Sequence, residues 1–160
     1  MKKALLAAAC GLILAAALGL SGAWLNVTAY PIEGLAAAQQ PSLYEQLSRA
    51  AEEGSLHGTV FAIAPLPMER ARLVTYTVRV RNFLPVPVQM PELSLEPMAG
   101  DRLAVAGSVL LGDDINRPAP VAPFGESTLQ LVLLTEEARD ERDLALSGYV
   151  LGFAFTRPVR

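Results

Sequence analysis

Few side chains in this sequence could do chemistry, and their spacing narrows what that chemistry could be. His57 is the only histidine and Cys10 the only cysteine in 160 residues. A structural zinc site takes four nitrogen or sulfur donors, so one chain with a single histidine and a single cysteine cannot assemble the usual set. His57 could act as a lone general base, yet no G-x-S-x-G stretch or similar nucleophile pattern accompanies it. Asp113, Asp114 and Asn116, with Asp101, could offer hard oxygen ligands to calcium. Their spacing does not fit the twelve-residue calcium loop, and Asp and Asn after glycine are ordinary turn formers. No glycine-rich phosphate loop is present. The expectation is a chain that is not an enzyme, with no catalytic residue, no metal ligand and no cofactor.

Charge offers a second kind of chemistry. Of the 13 basic residues two are Lys2 and Lys3, which leaves 11 arginines against 16 acids beyond them, a balance of −5. That balance argues against nucleic acid as a partner. Arginine binds carboxylate and phosphate in a bidentate fork. If Arg70, Arg72, Arg79 and Arg81 share a surface, they form a binding face for an acidic wall polymer or a lipid headgroup; the alternative is a charged, solvated sheet face. Glu136, Glu137, Asp140, Glu141 and Asp143, interrupted by Arg139 and Arg142, read either as an acidic docking patch or as a solvated connection. Asn26-Val27-Thr28 matches a glycan acceptor triplet.

The elements that must position these residues begin with an export segment. Residues 1–25 have a basic start and then an uncharged run of apolar and small residues, with no charge between Lys3 and Glu33. They form a signal peptide cleaved near Ala23, after the small residues Ser21-Gly22-Ala23, or an uncleaved membrane anchor over 4–25. An anchor would span as an apolar helix, with Lys2 and Lys3 on the cytoplasmic side. Either way the domain is extracytoplasmic. Cys10 sits inside the apolar run rather than after it, which disfavours a lipid-anchored cysteine, and the exported part has no disulfide.

Beyond the leader, residues 26–40 read as a linker or a first strand. A helix is predicted over 42–53: Ser42 and Glu45 have capping-box spacing, Leu43, Leu47 and Ala50 repeat on one face, and Gly54 can end it. From 55 onward the pattern is strands. Val74, Tyr76, Val78 and Val80 alternate with Thr75, Thr77, Arg79 and Arg81, one set for a core and one for water. Further strands are predicted over 56–64, 86–96, 103–111, around Leu129, Leu131 and Leu133, and over 144–156. The phase change across Pro91 suggests a bulge, and the proline-rich 117–123 an edge or connector. Pro85, Pro87 and Pro91 lack donors, so the strand before them must stop pairing, with the Asn82 side chain bonding nearby backbone instead. Six or seven short strands with turns about every ten residues predict an all-β antiparallel sandwich over 41–160. The helix is expected to cap one end of it.

The stretches YTVRVRNFLPVPVQMPELSLEP, GDRLAVAG and VAPFGESTLQLVLL resemble the immunoglobulin-like sandwich of small, signal-bearing bacterial envelope proteins. They are distantly similar to the late-embryogenesis-abundant type 2 (water-stress) domain, although Asn82-Phe83-Leu84 stands where that family has Asn-Pro-Asn. The likeness covers roughly 73–135 and brings no catalytic residue. Together these features predict a noncatalytic envelope module that binds a partner protein or wall component through a sheet face or end loops. A stress-protective accessory domain without a specific ligand is the alternative.

Overall fold

The structure, a computed structural model, describes residues 24–53, 58–62, 66–106 and 120–159. The apolar run up to residue 23, with Cys10, lies outside them, as do His57, Asp113, Asp114 and Asn116. Among the described residues no helix is long and apolar enough to cross a membrane.

Nine strands form two antiparallel sheets. In chain order they are β1 Leu25–Ala29, β2 Glu33–Ala36, β3 Gly58–Val60, β4 Arg72–Asn82, β5 Gln89–Leu95, β6 Asp101–Ala106, β7 Glu126–Thr135, β8 Leu144–Val150 and β9 Phe153–Val159. The larger sheet has the order β1-β4-β7-β6-β3, with β2 also pairing β4. The smaller has the order β5-β8-β9. The chain is thus a β-sandwich with one short helix, α1, over Pro41–Glu53.

Alternation in β4 decides which side faces inward. Val74, Tyr76, Val78 and Val80 are buried against Leu131 and Leu133 of β7 and against Leu93, Leu146, Val150 and Phe155 of the smaller sheet. Burying each such side chain contributes about 1.5–3 kcal/mol.

The outer face of the large sheet is not simply wet. Leu43 and Leu47, four apart and so on one face of α1, join Ala37 and Leu66 over Leu73, Leu103, Val105, Val132 and Leu134. The helix therefore lies on the back of the sheet instead of capping an end. This explains why Leu131-Val132-Leu133-Leu134 is buried without a break: that half of β7 is covered on both faces, as a continuous apolar run demands. Ser42 lies inside the helix, one residue after Pro41, so the expected capping box is not its start. Proline suits the first helical position because the donor it lacks would have no partner there.

One predicted segment holds a first strand as one of its two readings had it, and two others differ from the pattern predicted for them. Residues 26–40 hold the short strands β1 and β2 and a 3-10 turn over Ala37–Gln39, all against the β4 edge. The predicted strand over 56–64 is described only as the three-residue β3, after which the Phe61 and Ala62 amides both donate to the Arg102 carbonyl. The predicted single strand over 144–156 is a hairpin, because Leu151 (φ 51°) and Gly152 (φ 83°) both occupy the left-handed region and close a two-residue turn.

Candidate functional site

The sandwich has two ends, and they differ in chemistry. At one end β4 and β8 finish and β1, β5, β7 and β9 begin; at the other β4, β6 and β8 begin and β7 finishes.

The second end is ionic, and its centre is a buried pair. Arg142 donates from Nε to one Asp101 carboxylate oxygen at 2.9 Å and from Nη2 to the other at 2.7 Å. Neither side chain is more than 1 % exposed. Asp101 also accepts the Met98 amide at 2.8 Å and a bond from the Thr135 hydroxyl. Burial alone would raise the Asp101 pKa, but these hydrogen bonds and the Arg142 charge outweigh it and hold the carboxyl below its usual value. The Arg142 pKa rises in turn, chiefly through the bond to Asp101.

Arg142 also holds the loop that carries it, since its Nη1 donates to the Arg139 and Glu141 carbonyls at 2.6 and 2.9 Å. Tyr76 reaches out of the core to donate to the Asp140 carbonyl at 2.6 Å. Burial pushes its hydroxyl from an ordinary pKa of 10.0 up to about 12; the carboxylates of Asp101, Asp140 and Glu141 push the same way, against Arg142. Arg72 holds the Asp140 carboxylate at 2.8 Å, and Arg70 and Arg102 both hold Glu136. The charge-rich connection is therefore not a free acidic patch, although Arg139, Glu141 and Asp143 on it are solvated. It is strapped to the sheets by arginines, and Asp101, Tyr76 and Arg142 all titrate far from neutral pH. A perturbed pKa of this kind fits a structural ion-pair network as well as a reacting group. Among the described residues no three His, Cys, Asp or Glu side chains converge as a metal set.

The four arginines predicted to share a binding face do not form one surface. Arg79 and Arg81 stand exposed on the outer face of β4 beside Thr28 and Asn26 of β1. Arg72 has the opposite parity and is occupied by Asp140, while Arg70 lies before the strand and is occupied by Glu136. The Thr28 hydroxyl donates to the Asn26 side chain at 3.2 Å within the glycan-acceptor triplet, on the strand at the sheet edge.

Among the described residues, the stretches Phe83–Pro91, 120–125 and Leu144–Thr156, which run into the first end, contain no acidic or basic residue. Its polar work falls to Asn82, fully buried, whose Nδ2 donates to the Val86 and Ala122 carbonyls at 2.7 and 3.0 Å and whose Oδ1 accepts the Leu84 amide at 2.9 Å. Val88 and Val121 exchange a reciprocal pair of main-chain bonds at 3.0 Å, and the Phe124 amide donates to the Leu84 carbonyl. With the backbone thus satisfied, the remaining side chains point outward. Phe83, Met90, Phe124, Tyr149, Leu151 and Phe153 are all exposed, Leu151 by 70 % and Phe124 by 67 %. Three of them, Met90 (φ 48°), Phe124 (φ 52°) and Leu151 (φ 51°), are the only non-glycine residues with positive φ among the described ones. That conformation costs an L-residue roughly 1–2 kcal/mol and is usually given to Gly, Asn or Asp.

Sequence reasoning anticipated Asn82 as the residue that ends β4. It missed Leu151, Phe153, Phe124 and Met90, because apolar residues in an alternating pattern read as core. The available signal was Leu-Gly and Phe-Gly placed where turns must fall within uncharged stretches.

No family model matches the chain, and no curated protein matches it. Among solved structures, it is similar to the crystal structure of an uncharacterized β-sandwich protein from Clostridium difficile 630, at 8 % identity and a TM-score of 0.36, over 86 % of this chain and 87 % of that one.

Proposed function

We propose that this chain is a noncatalytic extracytoplasmic module with an immunoglobulin-like sandwich, and that it works by docking its apolar end loops onto a component of the cell envelope. The immunoglobulin-like reading is supported by strand order: β1-β4-β7-β6 facing β5-β8-β9 matches the constant-type arrangement of four strands against three. The extracytoplasmic reading is supported by the basic start and uncharged apolar run of residues 1–25.

The observation that carries the function is that six exposed large apolar side chains lie on the turns and strand ends of one end, three of them with positive φ. Exposed apolar surface of this kind marks interaction sites, and strained residues concentrate where function overrides conformational preference. A photocrosslinking amino acid placed in intact cells at Leu151, at Phe124, or at Arg70 of the ionic end tests the reading. Adducts with an envelope component are expected at the first two positions and not at the third. Equal labelling at all three, or none at Leu151 and Phe124, would overturn it.

A further inference from the structure

We infer that the apolar end seats on the surface of a lipid bilayer, with Leu151, Phe153, Phe124 and Phe83 reaching the boundary between headgroups and acyl chains. The inference rests on the docking reading above and names the partner.

Its first support is where the chain leaves the described domain. The uncharged run that precedes the sandwich, residues 4–23, would be about 30 Å long as a helix, the thickness of a hydrocarbon core. No linker separates that run from the sandwich. Trp24 follows the run directly, and Leu25 is the first residue of β1, paired with Asn82. Trp24 packs edge-on against Phe155 at 5.3 Å, and its carbonyl accepts the Phe83 amide. An anchor attached there brings the Asn82 end of the sandwich, and not the ionic end, to the membrane. Tyr149, exposed at that level, matches the aromatic preference of the bilayer interface, whereas Trp24 is buried in the core.

The second support is the chemistry of the end itself. The described stretches Phe83–Pro91, 120–125 and Ser147–Thr156 at that end carry no charge, so seating them desolvates no ion of theirs. The nearest exposed cations, Arg79 and Arg81, stand on the flanking sheet face, and the Arg81 guanidinium lies 5.3 Å from the centre of the Phe83 ring. Arg81 faces the exposed Glu126 across the β4–β7 register, so this flank is mixed in sign, but the arginine stem and the Phe83 ring can enter while the charges stay with the headgroups. Thirdly, the hairpin turn Leu151-Gly152 keeps leucine where asparagine would suit the backbone better, which aims an apolar side chain outward at the tip.

The test uses the full chain with Cys10→Ser, reconstituted in vesicles of phosphatidylethanolamine and phosphatidylglycerol. A single cysteine at Leu151 or at Arg70 carries an environment-sensitive fluorophore; the two native side chains are about equally exposed, 70 % and 69 %, at opposite ends. At 151 the emission is expected to shift to the blue and to be quenched at least about twofold more than at 70 by lipids brominated high on the acyl chain. With the fluorophore moved to Phe124, Leu151→Asn together with Phe153→Ser is expected to lower the quenching. Unchanged emission at 151, or equal quenching at both ends, overturns the inference. If Leu151 then crosslinks to a protein or to a second copy of this chain in cells, docking stands and lipid falls; if it crosslinks to nothing, both fall.

Discussion

At both ends of this sandwich the chain must cross from one sheet to the other, yet the two crossings are secured by opposite means. The ionic end holds its loops with Asp101, Arg142, Thr135, Tyr76 and a ring of arginine–carboxylate contacts. The apolar end achieves the same with one buried asparagine and main-chain pairs. Buried backbone groups need partners, and either solution supplies them. Because Asn82 suffices at the apolar end, the fold itself does not require Phe124, Leu151 or Phe153 to be large, apolar and exposed. Their presence is therefore better explained by what that end meets than by what holds it together.

The largest way to break the comparison is to remove each end's anchor. Arg142→Ala leaves the Asp101 carboxylate buried without its charge partner and is expected to destabilise by roughly 3–5 kcal/mol. Asn82→Ala strands two carbonyls and an amide that water reaches poorly, for a loss of about 2–4 kcal/mol. Denaturant unfolding of the full chain checks both. If Asn82→Ala proves neutral, the claim that one side chain secures the apolar end is wrong.

Alkaline pH should act on the ionic end. The folded protein keeps the Tyr76 proton up to about pH 12, whereas the unfolded chain releases it near 10.0. Below pH 10 both states are protonated and the contribution of burial is fully present. Between 10 and 12 the folded state binds more protons, so stability falls as pH rises. Unfolding midpoints at pH 9 and 11.5 should differ in the native protein, and the part of the difference due to Tyr76 should vanish in Tyr76→Phe.

The strands were the readable part of the sequence. Alternation across Val74–Arg81 located β4 and its inner face, the proline series and Asn82 marked where it ends, and the Pro91 phase change became a register shift between Gln89 and Glu92. What alternation cannot convey is a second layer. Val132 and Leu134 looked like the rear of a half-buried strand because α1, almost ninety residues earlier, is what covers them. Nor does it separate core from exposed tip. Phe153 and Phe155 share a face of β9, yet Phe155 is buried under Trp24 while Phe153, two residues nearer the turn, stands beyond the core. The ionic end was visible as charge without pairing: Asp101 and Arg142 are 41 residues apart, and only the crossing loops bring them together.

A smaller effect separates folding from docking at a single position. Leu151→Asn puts the preferred residue into the left-handed site before Gly152 and is expected to raise stability by about 1 kcal/mol while weakening contact with the envelope partner. A substitution that strengthens the fold and lowers crosslinking at Phe124 could not be explained by misfolding. A loss of stability would show instead that Leu151 contributes packing that its 70 % exposure does not suggest.

The smallest effect belongs at the rim of the ionic end. Arg70 reaches Glu136 at 2.6 Å, but its side chain is 69 % exposed, so water and salt screen most of the attraction. Arg70→Ala should shift stability by no more than about 0.5 kcal/mol, and the shift should fade as salt is raised to molar concentration. Glu136 keeps Arg102 as a second partner, which further limits the loss. The contrast with Arg142→Ala, the same type of substitution in the same network, isolates burial as the variable: a loss at Arg70 approaching that at Arg142 would mean that the connection is held by its outer contacts, and that the buried pair is not the centre of this end.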